Sequence, residues 1–427
     1  MKYKWIFLIV GMCILFLCLN SRHIQGQKQF ESTIPNGKQR EKEIRVLIKN
    51  EGFCEITHTE VDVSAEQGLN ISCGEFKTKL DGGCVQKIKA DHEWFQEGES
   101  IRIEALQNGE IALHSLHRGY GEAVYSGMIE LYATAEGIVV INQLPVELYL
   151  EHVVPSEMPA SYEMEALKAQ AICARSYAYR QMETMAYPEY KAHVDDSTSY
   201  QVYGNSAKNE RTSRAVKDTE GEVLGYHGKI ITAYFFSTSC GKTAGIEAWK
   251  MEHKEEFDYL QSISVCDSKG DDYEKHLPWY RWDVKVSKQQ LCDILELHAK
   301  VELGELEKLE ILRTGAGGIV LELKAVGSKG EFVVQTENKI RKALGDASYQ
   351  IKRNDGSVVM GTDLLPSAFF TLENDGEDYV IRGGGYGHGI GMSQNGANEM
   401  AKAGLSYKEI LASFYNGADI LYGSNKK

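Results

Sequence analysis

The sequence predicts an α+β fold in which strands and helices form a groove, behind an N-terminal membrane anchor. Three observations carry that prediction. Short β-type runs separated by Gly, Asn and Asp fill the first third of the chain. Longer helical patterns with recognisable caps begin after residue 143. Strands and helices then mix without the regular beat of a doubly wound sheet.

The elements follow in order. Lys2 and Lys4 precede an apolar run from Trp5 to Leu19, and no small-x-small cleavage site follows. Residues 1–20 therefore read as an uncleaved anchor in preference to a cleaved signal segment. Cys18 lacks the small residue before it that a lipoprotein site needs. The lysines place the N-terminus in the cytoplasm and the bulk of the chain outside it, as a single-pass protein of the cell membrane. Residues 21–43 are polar and charged, a flexible stalk.

From residue 44 to 143 the runs "IRVLI", "FCEITHTEVDVSA", "SIRIEAL", "EIALHSL", "MIELYA" and "GIVVINQ" make a β-rich region. Pro145 suits the first turn of a short helix through "VELYLEHVV". A longer helix follows over roughly residues 163–182. Ser287 with Gln290, and Ser406 with Glu409, stand at capping-box spacing, and Gly417 is a natural stop. Between these helices "KIITAYFFS", "LEKLEILRT", "IVLELKAV", "EFVVQT" and "DYVIRG" read as strands.

Composition narrows the function. The 427 residues suit two or three domains, and 43% apolar with 25% charged residues is a folded globular composition. A net charge of −14 without a basic stripe excludes nucleic acid as a partner. Of nine cysteines, Cys13 and Cys18 lie in the anchor, which leaves an odd seven outside. Their spacings contain no C-x-x-C and no zinc-ribbon pattern.

Four stretches could carry chemistry. In "VVPSEMPASYEMEALKAQAICARSYAYRQ", Glu157 stands among Val153, Val154, Pro155, Met158 and Pro159. A carboxyl in apolar company keeps its proton toward neutral pH, as a glycosidase acid must. An acid that starts a helix and complements its dipole is the other reading. Arg175 lies eighteen residues on, in an alanine-rich stretch, and is either an ion-pair partner for a nearby acid or a substrate contact. "HVDDSTSYQVYGN" is a polar turn that offers Tyr200, Gln201 and Tyr203 to a sugar. "AYFFSTSCGKTAG" places a small polar loop after an aromatic strand; its Cys240 suits a disulfide or a core thiol better than a nucleophile. "RGGGYGHGIGMSQNGANEMAKAG" has six glycines within nine residues, then a helix starting near Ser393 whose free N–H groups face the loop. His388, flanked by glycines, is either accessible to ligand or the hydrogen-bonded centre of a tight turn.

Taken together, these segments resemble the SpoIID/LytB family, over about residues 44–417, with "VVQTENKIRKALG" also fitting. The resemblance implies a membrane-anchored lytic transglycosylase, with residues 144–421 as its catalytic region. It implies denuded peptidoglycan glycan strands, freed of their stem peptides, as substrate. It also implies engulfment during sporulation, alongside a SpoIIP-type amidase and a SpoIIM-type membrane protein. The family's essential glutamate falls on Glu157, and the arginine of its "ARSYA" helix on Arg175. Some members carry a zinc-binding "C-x-D-S-T-H-C-Q"; here Val194, Ser199 and Tyr200 replace the ligands, so no metal site and no cofactor are expected.

The expected mechanism uses Glu157 twice. It donates a proton to the glycosidic oxygen, then takes one from the sugar's C6 hydroxyl as a 1,6-anhydro end forms. A guanidinium beside that acid would lower its pKa, so Arg175 is expected instead to hold a lactyl carboxylate of the substrate. Tyr200, Gln201, Ser237, Ser239, His388, Ser393 and Gln394 complete the expected substrate contacts. Cys240 and Cys266, each beside an aromatic run, are expected to form a disulfide. The rival is a non-catalytic wall-binding module that enhances an amidase.

Overall fold

The computed structural model describes residues 42–249 and 255–423. The expected anchor and nearly all of the expected stalk lie outside them. Among the described residues no helix is long and apolar enough to cross a membrane. The described chain is α+β.

The β-rich region builds most of an eight-stranded sheet. Glu43–Ile48 runs antiparallel to Gly137–Pro145, with Ile44 opposite Leu144 and Val46 opposite Asn142. Their alternation sends Ile44, Val46, Ile138 and Val140 into one core. On the other side Glu43–Ile48 receives Val194–Asp195 as a short parallel partner, Val46 opposite Val194. The polar-turn stretch is thereby fixed to the edge of this sheet.

Seven helices lie among the described residues: α1 (Val146–Glu157), α2 (Met164–Gln181), α3 (Glu210–Asp218), α4 (Lys288–Ala299), α5 (Glu337–Leu344), α6 (Gln394–Lys402) and α7 (Tyr407–Phe414). α2 buries Ala166, Ala169, Ala171, Ala174 and Ala178 completely. Small side chains on several faces let neighbours approach it closely, and alanine favours the helix itself. Ser287 caps α4 by accepting the Gln290 N–H at 3.2 Å. At α7 the capping box of Ser406 and Glu409 is complete.

One core runs across residue 143/144, from Ile44 through Val153 and Ala174 to Tyr415. A second core, separate from it, gathers Trp282, Val284, Leu291, Leu323, Ile340 and Ile381. It belongs to a module of two sheets with α4 and α5, set between Phe235–Phe236 and the glycine-rich run. The chain on either side of the module meets again, Phe235 pairing in parallel with Met392 and Phe236 with Ser393.

Two expectations change here. "KIITAYFFS" is not one strand: Lys229–Ile230 closes a hairpin, and Phe235–Phe236 has crossed to a different partner. Cys240 and Cys266 are both free thiols, as are the other five described cysteines. Lys242 pairs with Ser264, so the two segments do run side by side. Gly241, at φ +92°, turns the chain directly after Cys240, and Cys240 packs toward Gly384, where an added Cβ would sit 2.7 Å from its own.

Candidate active site

Glu157 is the last residue of α1, not the first residue of a helix. The helix dipole therefore opposes its charge. Behind it Val153, Val154 and Met158 are buried. Burial pushes its carboxyl up to about 7, against the Val202 N–H and the Gln394 amide, which both favour the ionised form. The Val202 N–H donates to Oε1 at 2.7 Å, and Gln394 Nε2 donates to the Glu157 backbone oxygen at 3.0 Å.

The loop that delivers Val202 hangs on two buried aspartates. Asp195 accepts the Ser197 N–H at 2.8 Å and the Tyr187 hydroxyl at 2.7 Å. Asp196 accepts the Lys49 N–H at 3.0 Å and pairs with buried Arg118 at 2.6 Å. Burial raises the Asp196 carboxyl to about 6 although Arg118 opposes it. A few residues on, buried Tyr203 stacks on Tyr149 with centroids 4.9 Å apart. The polar turn is thus a pinned loop whose backbone serves Glu157.

Glu157 opens into a cavity of about 250 Å³ lined also by Tyr177, Thr198, Ser199, Tyr200, Val202, Tyr234, Phe235, Trp249 and His388. Glu157 is the one carboxyl and the one charged side chain among those residues. His388 Nδ1 accepts the Ile390 N–H at 3.1 Å, so Nε2 carries the proton that reaches the Phe235 carbonyl at 2.9 Å. Burial lowers its pKa to about 4, which leaves a neutral, fixed ring.

The expected substrate contacts divide. Tyr200 and His388 line the cavity. Arg175 does not: it is fully buried, and all five of its N–H groups are used. Nε and Nη2 fork onto Glu147, each at 2.8 Å. The remaining donors reach Thr219 at 3.4 Å and the carbonyls of Glu222 and Val216 at 3.0 and 3.1 Å. No donor is left for a lactyl carboxylate, so Arg175 is an internal brace between helices. Gln201 is also buried, strung between the Tyr149 hydroxyl and the Ala174 carbonyl. Ser237 is half-buried beside Thr238, outside the cavity wall.

Ser239 and Ser393 serve a residue that the sequence did not single out. Glu274, fully buried, accepts the Ser239 N–H at 2.9 Å, the Ser239 hydroxyl and the Ser393 hydroxyl at 2.8 Å. Burial raises this carboxyl to about 7 against those bonds. Ser393 in turn caps α6, accepting the Gly396 N–H at 3.1 Å. Glu274 thereby latches the polar loop to the glycine-rich run, and the next residue, Gln394, holds Glu157. Buried Gln394 stands behind Glu157 rather than in the cavity wall.

The aromatic wall also went unread in the sequence. Tyr234 and Phe235 were visible only as part of an aromatic strand, and Tyr177 and Trp249 carried no motif. Among the described residues no three His, Cys, Asp or Glu side chains gather as a metal site.

Comparison with known proteins adds the family. A model described as "Stage II sporulation protein" matches residues 134–226, and one described as "Domain of unknown function (DUF8618)" matches residues 246–391. Stage II sporulation protein D of Bacillus subtilis (strain 168) is 31% identical over 306 residues, covering 68% of this chain and 78% of that protein. The chain belongs to the SpoIID family. Its namesake from Bacillus amyloliquefaciens is 31% identical over 297 residues, 66% of this chain and 75% of that one. The amidase enhancer of Bacillus subtilis (strain 168) is 31% identical over 292 residues, 64% of this chain. The match spans only 40% of that protein's length. Within this SpoIID-family chain the first model takes in α1, α2, Glu157 and the pinned loop, and the second takes in the module with its own core.

Proposed function

We propose that this protein is a peptidoglycan lytic transglycosylase acting on the MurNAc–GlcNAc bond of stem-peptide-free glycan strands. One observation carries the reading: a single carboxyl, raised to about 7, stands in an aromatic cavity with no second acid among its described lining residues. Two-carboxylate glycosidases activate a water or form a glycosyl-enzyme with their second acid. With Glu157 alone, the economical chemistry is intramolecular. Protonated Glu157 gives its proton to the glycosidic oxygen as the C1–O bond breaks. The carboxylate then accepts the C6 hydroxyl proton as that oxygen closes on C1, giving a 1,6-anhydro end and restoring the acid. The Val202 N–H stabilises the carboxylate between the two transfers.

The family membership and the names of the relatives support a role in sporulation and in wall degradation beside an amidase. The lysine-flanked apolar run supports placement on the outer face of the cell membrane. The name of the relative "Amidase enhancer" supports the rival, a wall-binding module without turnover. Digestion of peptide-free strands in water enriched in heavy oxygen separates them. The proposed enzyme yields cleaved ends without label, a hydrolase yields labelled ends, and a binding module yields no new ends.

A further inference from the structure

Trp249 is the largest side chain of the cavity wall; it packs against the first core, while its indole N–H is held from the module with its own core. Its indole N–H donates to Oε1 of Glu337 at 3.0 Å. Glu337 opens α5, is buried, and pairs with Arg341 one turn on at 3.3 Å. Arg341 is tied down in turn, its Nε donating to the Leu365 carbonyl at 2.9 Å. In front, the indole meets Tyr234 edge-on, with centroids 4.6 Å apart and planes at 78°. It also leans on the fixed ring of His388 at 5.2 Å. A buried carboxylate, a tyrosine edge and a locked imidazole thus leave the indole one orientation.

Among the described residues that line the cavity there is no Lys or Arg. Recognition there falls to ring faces and hydroxyls. An indole face is flat and apolar with a polar edge, which matches the C–H face of a pyranose.

We infer that Trp249 is the stacking platform for a sugar ring next to Glu157, and that Glu337 is the positioning residue that aims it. The module with its own core then governs grip on the glycan, while the chemistry stays at Glu157. This rests on the glycan reading above and adds the residues that hold the sugar.

Calorimetric titration of the detergent-purified full chain tests it, with peptide-free glycan oligosaccharide as the probe. The Glu157→Gln background prevents turnover during binding. Trp249→Ala weakens binding by about tenfold, and Trp249→Phe, which keeps a ring but loses the N–H, by roughly threefold. Glu337→Gln keeps an acceptor and binds as the parent does; Glu337→Ala frees the indole and loses affinity. With Glu157 intact, the Trp249 variants raise KM and leave kcat within about twofold, because ground-state grip and not proton transfer is removed. Binding by the parent that neither Trp249 variant weakens, at unchanged melting temperature, overturns the platform. Equal losses for Glu337→Gln and Glu337→Ala, with lowered melting temperatures, overturn the positioning role. No binding by the parent at all removes the glycan reading and this inference with it.

Discussion

The backbone N–H of Val202 lies 2.7 Å from Oε1 of Glu157, across forty-five residues of chain. With the Asn205 and Ser206 N–H groups on the Ser156 hydroxyl, that bond joins the end of α1 to the loop anchored by Asp195 and Asp196. It gives the carboxylate one fixed partner while burial disfavours the charge. A group so balanced holds its proton near neutral pH and can lose it and regain it.

The raised pKa makes Glu157 a cost to folding above acid pH. Between the ordinary carboxylate value of 4.5 and about 7, the native state binds the proton and the unfolded state does not. Stability therefore falls as pH rises through that window. Glu157→Gln removes the fall. Its stability advantage over the parent grows from pH 4.5 and levels off above about 7, at up to about 3 kcal/mol. Urea unfolding of both proteins across that range measures the difference, and parallel curves contradict it.

Activity should require the protonated carboxyl. The kcat/KM profile of the parent therefore declines above about pH 7. Gln394→Leu removes a side chain that favours the ionised form, so the declining limb moves to higher pH. A profile that stays flat through neutral pH in both proteins refutes this assignment.

Arg175→Ala removes the fork on Glu147 and the Arg175 donors to the Glu222 and Val216 carbonyls. Because Glu147 is partly exposed, the loss stays below the roughly 3 to 5 kcal/mol of a fully buried pair. Arg175→Lys restores the charge but not the fork, so it recovers only part. Thermal unfolding reads the loss. Unchanged stability with selectively weakened binding of peptide-free strands would return Arg175 to the substrate.

The seven described thiols are free. Alkylation in denaturant without reductant, followed by peptide mapping, should find Cys240 and Cys266 both modified. A linked Cys240–Cys266 peptide pair contradicts it.

Much of the fold was legible because local chemistry decides it. The strand Leu306–Thr314 and the box of Ser406 with Glu409 stand where alternation and capping placed them. The interrupted "KIITAYFFS" was not legible, because its pairing with Met392 depends on a return of the chain more than 150 residues later. At the site, the apolar setting of Glu157 was readable from its neighbours, but its place at a helix end was not. The roles of Arg175, Gln201, Ser239 and Ser393 turn on partners distant in sequence. Polar residues in motifs read as ligand contacts, yet here they hold loops together. Glu274 and Trp249 gave no local signal, since each acquires its role only from what the fold places beside it.

The most direct test compares the full chain and its Glu157→Gln variant on the same peptide-free glycan strands, with the released ends weighed by mass spectrometry. The account predicts 1,6-anhydro ends, lighter than hydrolytic ends by one water, from the parent and none from the variant, with both proteins folded. Anhydro ends from the variant, or hydrolytic ends from the parent, would contradict the assignment of Glu157 as sole proton carrier.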